Sequence, residues 1–158
     1  MDHEEKLREH LLELLRGRSA HIDFEKAVKD FPFDEINTRI DSSPHTGWEL
    51  LEHIRIAQWD ILEFSRDADH VSPAWPDGYW PKEKGTPDQW KASLVQVRHD
   101  SQAMRDLVAD EKTNLYAKIP HGDGQTILRE ALLVADHNAY HLGQLVLIKR
   151  MLTSRAES

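Results

Sequence analysis

The chain contains no cysteine, which excludes disulfides, thiolate metal sites and a cysteine nucleophile together. Cations are the minority. The 20 Lys and Arg stand against 28 Asp and Glu, a formal net charge of -8, and no basic run appears in the 158 residues. Nucleic-acid surfaces need clustered Lys and Arg to neutralise phosphates, so that class of partner is excluded. No stretch approaches about 18 consecutive apolar residues, so no membrane span is expected. The opening MDHEEKLREH is charged and helical in character, without the apolar centre of a signal peptide. A soluble cytoplasmic domain is the default expectation. Val/Ile/Thr-rich alternating segments are also missing, and with them any sign of a strand.

What is present is helical periodicity, in a chain long enough for one domain over residues 1–158 and too short for two ordinary ones. Leu7, Leu11, Leu14 and Leu15 mark a first helix over residues 3–16, stopped by Gly17. A shorter helical piece follows, with Asp23 as its N-cap. FPFDEINTRIDSSPHTG reads as a connector, punctuated by Pro32 and Pro44. A second long helix starts near His45 to Trp48 and runs to about Arg66, with Leu50, Leu51, Ile54, Ala57, Ile61 and Phe64 facing inward. Residues 68–85 hold three prolines and two glycines and so cannot be regular helix. They also carry Trp75, Tyr79 and Trp80, which suits a packed loop covering one end of a cavity better than a tether. Thr86, Pro87 and Gln89 spell a capping box that opens a third helix to about Asp110. A fourth runs from about Thr126 to Leu152. The economical architecture is an all-α four-helix bundle, with a short extra helix after the first and room for crossover connections.

Chemistry is carried by histidine. With ten in the chain, an i,i+4 pair can arise by chance, so the spacing of His137 and His141 is not evidence by itself. Their placement is more informative. Residues three and four apart share a helical face, and this pair continues the row Val134, Leu145, Ile148 and Leu152. His53 occupies the row Leu50, Ala57, Ile61 and Phe64 on the second long helix. Two interior faces therefore carry imidazole, and a buried polar group left unpaired costs about 1–3 kcal/mol. Two readings stand at this point. The three imidazoles converge on a Zn²⁺, Ni²⁺ or Fe²⁺ ion, or each is a buried histidine bonded to a carbonyl or carboxylate. His3, His10, His21, His70 and His99 are expected to face solvent, His121 lies in a turn, and His45 sits toward the surface at the rim.

SPHTGWELLEHIRIAQWDIL, followed far downstream by ADHNAYHLGQLVLIKRML, resembles the DinB/YfiT-like metalloenzyme superfamily. The resemblance also takes in the LLRG ending of the first helix and the DGYWP loop. It implies a four-helix bundle whose metal is held by one histidine on the second helix and an HxxxH pair on the last, here His53, His137 and His141. Three protein ligands leave a position open for water or substrate, the catalytic pattern rather than the structural one. The implied cofactor is one divalent transition metal. The implied activity is hydrolysis, or transfer of a low-molecular-weight thiol, on a small-molecule substrate, and a homodimer is compatible with such a bundle. The rival is a non-catalytic metal-binding bundle for stress response or ligand sensing.

No catalytic acid or base declares itself. Asp60, about 20° off the row of His53 at 3.6 residues per turn, and Glu49, one turn before it, are the acidic candidates for orienting a ligand or serving as general base. The alternative for each is an ordinary solvated carboxylate. Gln144, three residues after His141, either bonds near the metal or ties helices together. Tyr140 is expected to pack between helices with its hydroxyl bonded, and Trp48, Trp59 and Trp90 to be interior.

Overall fold

The computed structural model describes residues 3–41 and 43–156. Among them lie α1 (His3–Arg16), α2 (Phe24–Val28), α3 (Gly47–Arg66), α4 (Pro87–Ala109) and α5 (Ile127–Ala156), with 3-10 turns at Phe33–Glu35 and Asp77–Tyr79 and no strand. Capping chemistry sets the starts. Thr46 and Glu49 satisfy each other's backbone N–H groups ahead of α3, and Thr86 and Gln89 do the same ahead of α4, where Pro87 occupies the first turn. Each box removes two orphan donors from a helix end. Asp23 accepts from the Lys26 N–H to start α2. The last turn of α4 is served from a distance. The Arg8 guanidinium on α1 donates to the carbonyls of Val108, Asp110 and Thr113 at 2.6, 3.1 and 2.6 Å, placing a cation on carbonyls that lack helical partners.

The four long helices make the bundle. α3 packs along both α4 and α5, and α1 packs on the other side of the same two. The first two long helices are thus diagonal neighbours, and the connector carrying α2 crosses between them. This is the crossover that the long linkers allow.

Burial divides along the axis. One apolar cluster joins Trp48, Leu50, Leu51 and Ile54 of α3 to Trp90, Leu94 and Val97 of α4 and Leu142, Leu145 and Ile148 of α5. The other joins Leu11 and Leu62 to Met104, Val108, Ala131 and Val134. Leu62, fully buried, takes the inward place expected of Ile61 and Phe64, which are half-buried.

Between the clusters runs a polar belt of Gln58, Asp60, Asp100, His137, Asn138 and His141. Gln58 is its tie. Its amide donates to the Val97 carbonyl at 2.8 Å and its oxygen accepts from Asn138 at 2.7 Å, linking three helices. Gln58→Met keeps the side chain's length but orphans the Asn138 amide and breaks the tie to the Val97 carbonyl, which keeps its helical partner. It should cost about 1–3 kcal/mol for the orphaned amide, read as a lower urea midpoint at unchanged m-value.

Candidate metal centre

His53 lies in the second turn of α3, and His137 and His141 lie one turn apart on the facing side of α5. The packing of these helices brings the three rings together. His53 Nε2 is 3.1 Å from both His141 Nε2 and His137 Nε2, and one nitrogen from each ring falls within 4.8 Å of the others. No carboxylate joins this group among the described residues. His53 and His141 are 4% and 9% exposed, and His137 is half-buried.

Hydrogen bonds on the far side of the His53 and His141 rings decide what their converging nitrogens can be. His53 Nδ1 lies 2.9 Å from the Tyr79 backbone carbonyl. A carbonyl only accepts, so Nδ1 carries the proton and Nε2 is left with its lone pair. His141 Nδ1 meets Gln144 Oε1 at 3.1 Å, which imposes the same tautomer. The 3.1 Å contact between these rings therefore sets two lone pairs against each other. His137 can relieve only its own contact with His53, by donating from Nε2, and its Nδ1 is buried without a partner. One cation at the centre satisfies every converging lone pair. The spacing suits that occupant, because imidazole nitrogens about 2.0–2.1 Å from a tetrahedral ion lie roughly 3.3 Å apart. The donor set of neutral imidazoles is one that Zn²⁺, Ni²⁺ and Fe²⁺ accept.

Electrostatics keeps the rings neutral. Burial is the largest cause depressing the basicity of all three. For His137 the neighbouring His141 and His53 add to it and the pKa falls to about 4. Asn138 opposes that shift without meeting hydrogen-bond geometry, since its own Oδ1 is also unpartnered.

Aromatic rings close two sides. Trp80 stacks on His53 at 3.9 Å with 1° between planes, and His45 stacks on Trp80 at 4.0 Å. Tyr140 sets its ring edge-on to His141 at 4.8 Å but is 67% exposed. The interhelical packing expected of it does not occur, because its position on α5 points away from α3 and α4. Trp75 is 79% exposed, so of the loop aromatics Trp80 makes the main packing contact. A cavity of about 860 Å³ lies against the other side of α3 and α5. Its lining includes Ile54, Asn138 and Leu142, each the residue after a histidine of the cluster, but none of the three histidines.

The acidic candidates have other partners. Glu49 accepts from the Thr46 N–H in the capping box, and its two oxygens share the Arg39 Nη2 at 2.9 and 3.0 Å. Asp60 is 7% exposed and accepts from His70 Nε2 at 2.7 Å and from the Tyr79 hydroxyl at 2.6 Å. Burial and the Asp60 carboxylate push that hydroxyl up to about 12. His70 was expected in solvent. Instead its side chain is 7% exposed, because the loop folds back and sets the ring edge against Trp59. Periodicity misses the Tyr79 carbonyl altogether, since backbone atoms leave no trace in residue identity.

The depressed imidazoles have a linkage consequence for protein stripped of metal. Between pH 6.5, the ordinary histidine value, and about 4, the unfolded chain holds more protons than the folded one. Stability therefore rises with pH across that window and falls on acidification. Urea denaturation in the presence of chelator should show this slope, and His137→Gln should flatten it.

The sequence pattern of the DinB superfamily matches residues 6–145, from α1 through all three histidines to the residue after Gln144. No curated protein and no solved structure matches the chain. A family pattern covering most of the chain, on a helical bundle whose facing helices bring together His53, His137 and His141, makes this chain a member of the DinB superfamily.

Proposed function

We propose that His53, His137 and His141 hold one divalent transition metal ion, Zn²⁺, Ni²⁺ or Fe²⁺, and present it to a small molecule for hydrolysis or low-molecular-weight thiol transfer. The observation that carries this reading is the pair of lone pairs opposed at 3.1 Å, an arrangement a cation relieves. When bound, such an ion lowers the pKa of a coordinated water or thiol and polarises a carbonyl. The protein supplies three neutral ligands and leaves further positions to exogenous groups. Having no cysteine, it would take any thiol from outside. Trp80 and Tyr140 flank the histidines and would bound an incoming substrate. Tyr79, its hydroxyl held protonated by Asp60, acts as a donor and not as a base.

A second reading, a non-catalytic metal-binding bundle for stress response or ligand sensing, has one observation in its favour. No carboxylate reaches the cluster among the described residues, and Asp60 and Glu49 are engaged elsewhere. No helix among the described residues is long and apolar enough to cross a membrane, and a cytoplasmic location is part of the proposal. So is a homodimer, for which Leu132, Leu147 and Met151 leave apolar surface exposed on α5.

Protein purified without a histidine tag should carry close to one equivalent of metal by elemental analysis, and His137→Ala or His141→Ala should lose most of it. Ester, amide and thiol-acceptor panels should show turnover that chelator abolishes. Stoichiometric metal without turnover, together with a large fall in Tm on chelation, would favour the non-catalytic reading. Wild-type protein free of metal and unchanged by the histidine substitutions would refute both.

A further inference from the structure

We propose that Asp60 is a positioning residue for the histidine cluster, acting on His53 through Tyr79. The inference rests on the reading that the cluster holds a metal. His53 is oriented by a main-chain carbonyl, that of Tyr79. A main-chain acceptor cannot be removed by substitution, and it is only as well placed as the segment that carries it.

That segment, residues 67–85, has one short 3-10 turn as its regular structure, so side-chain ties must hold it. Asp60 provides two of them. One oxygen accepts from His70 near the start of the loop and the other from the Tyr79 hydroxyl at its far side. A single carboxylate thus gathers both arms of the loop onto α3. Further along, Trp48 Nε1 donates to the Glu83 carbonyl, and Asn37 exchanges two bonds with Gly85. These fix the loop's exit but make no contact with Tyr79.

The spacing on α3 completes the device. Asp60 follows His53 by seven residues, two helical turns on nearly the same strip. One rigid helix therefore carries both the ligand and the anchor of that ligand's partner. The path runs from Asp60 through the Tyr79 ring to its carbonyl and back to His53 Nδ1, with 2.6 and 2.9 Å at its two hydrogen bonds. Asp60 does not belong to the converging group, and both its oxygens are already bonded. Its effect on the metal is therefore one of orientation. Polar partners of ligating histidines change metal affinity by about 10–100-fold when removed.

The test compares full-length wild type with Asp60→Ala, Tyr79→Phe, the double variant and Asp60→Asn, and uses Trp48→Phe as a control that loosens the same loop away from Tyr79. Zinc affinity is read by competition with a chromophoric chelator, and ligand geometry by the visible spectrum of the Co²⁺ form. The imidazole ¹⁵N–¹H spectrum of metal-stripped protein reports the His53 Nδ1–H directly. Asp60→Ala and Tyr79→Phe should each weaken zinc binding by about 10-fold or more, and the double variant should lose no more than Asp60→Ala alone, which already breaks the Asp60–Tyr79 bond. Both should shift or broaden the His53 Nδ1–H signal. Asp60→Asn, which keeps an acceptor for the Tyr79 hydroxyl, should restore most of the affinity. The proposal is overturned if Asp60→Ala and Tyr79→Phe leave affinity, Co²⁺ spectrum and the Nδ1–H signal unchanged. Affinity losses that merely follow Tm across all variants, Trp48→Phe included, also overturn it. If wild type binds neither Zn²⁺ nor Co²⁺, the metal reading fails and the imidazole signal alone decides whether Asp60 orients His53.

Discussion

Two imidazole lone pairs cannot face each other across 3.1 Å in a protein interior without a positive charge between them. In this bundle the His53–His141 contact imposes that condition. The Tyr79 carbonyl and Gln144 hold the outer nitrogens as donors, and packing holds the rings together. Burial disfavours protonation of the same rings, so a proton is a poor occupant near neutral pH. A metal ion satisfies the geometry and the electrostatics together, because it accepts several lone pairs at once.

The rest of the fold accommodates this demand. A polar belt across the middle of a small bundle interrupts the burial that stabilises it, so the apolar material is concentrated above and below. Gln58 ties three helices at the level of the belt. The helix ends are closed locally by two capping boxes and remotely by Arg8, which limits fraying toward the site. The loop after α3 then supplies what the helices cannot, a carbonyl at the right place and an indole stacked on His53. The site is built on rigid elements, and its orientation is set by an irregular one.

Much of this was legible in residue identity. Leucine and isoleucine periodicity marked the long helices, and Thr86, Pro87 and Gln89 announced α4. The histidine rows on two interior faces singled out the candidate ligands, and the pattern of the final helix pointed to the family. Glu49 shows the limit of such reasoning. Its proximity to His53 suggested chemistry, yet Thr46 three residues earlier already spelled a capping box, and the carboxylate is used there. His70 and Tyr140 erred in opposite directions. Polar neighbours suggested that His70 lies in solvent and Asp60 buries it. The aromatic character of Tyr140 suggested packing, and its place on α5 leaves it exposed.

By itself the sequence determined an all-helical chain, the starts of its long helices and the three imidazoles on inward rows, because these depend on residues close in the chain and on the 3.6-residue turn. Only the tertiary structure decided that those rows meet, which tautomers they adopt and that a loop carbonyl anchored by Asp60 faces His53. These depend on contacts between residues 19 to 88 positions apart. A main-chain oxygen has the same chemistry in every residue, so its role emerges only when the chain is folded.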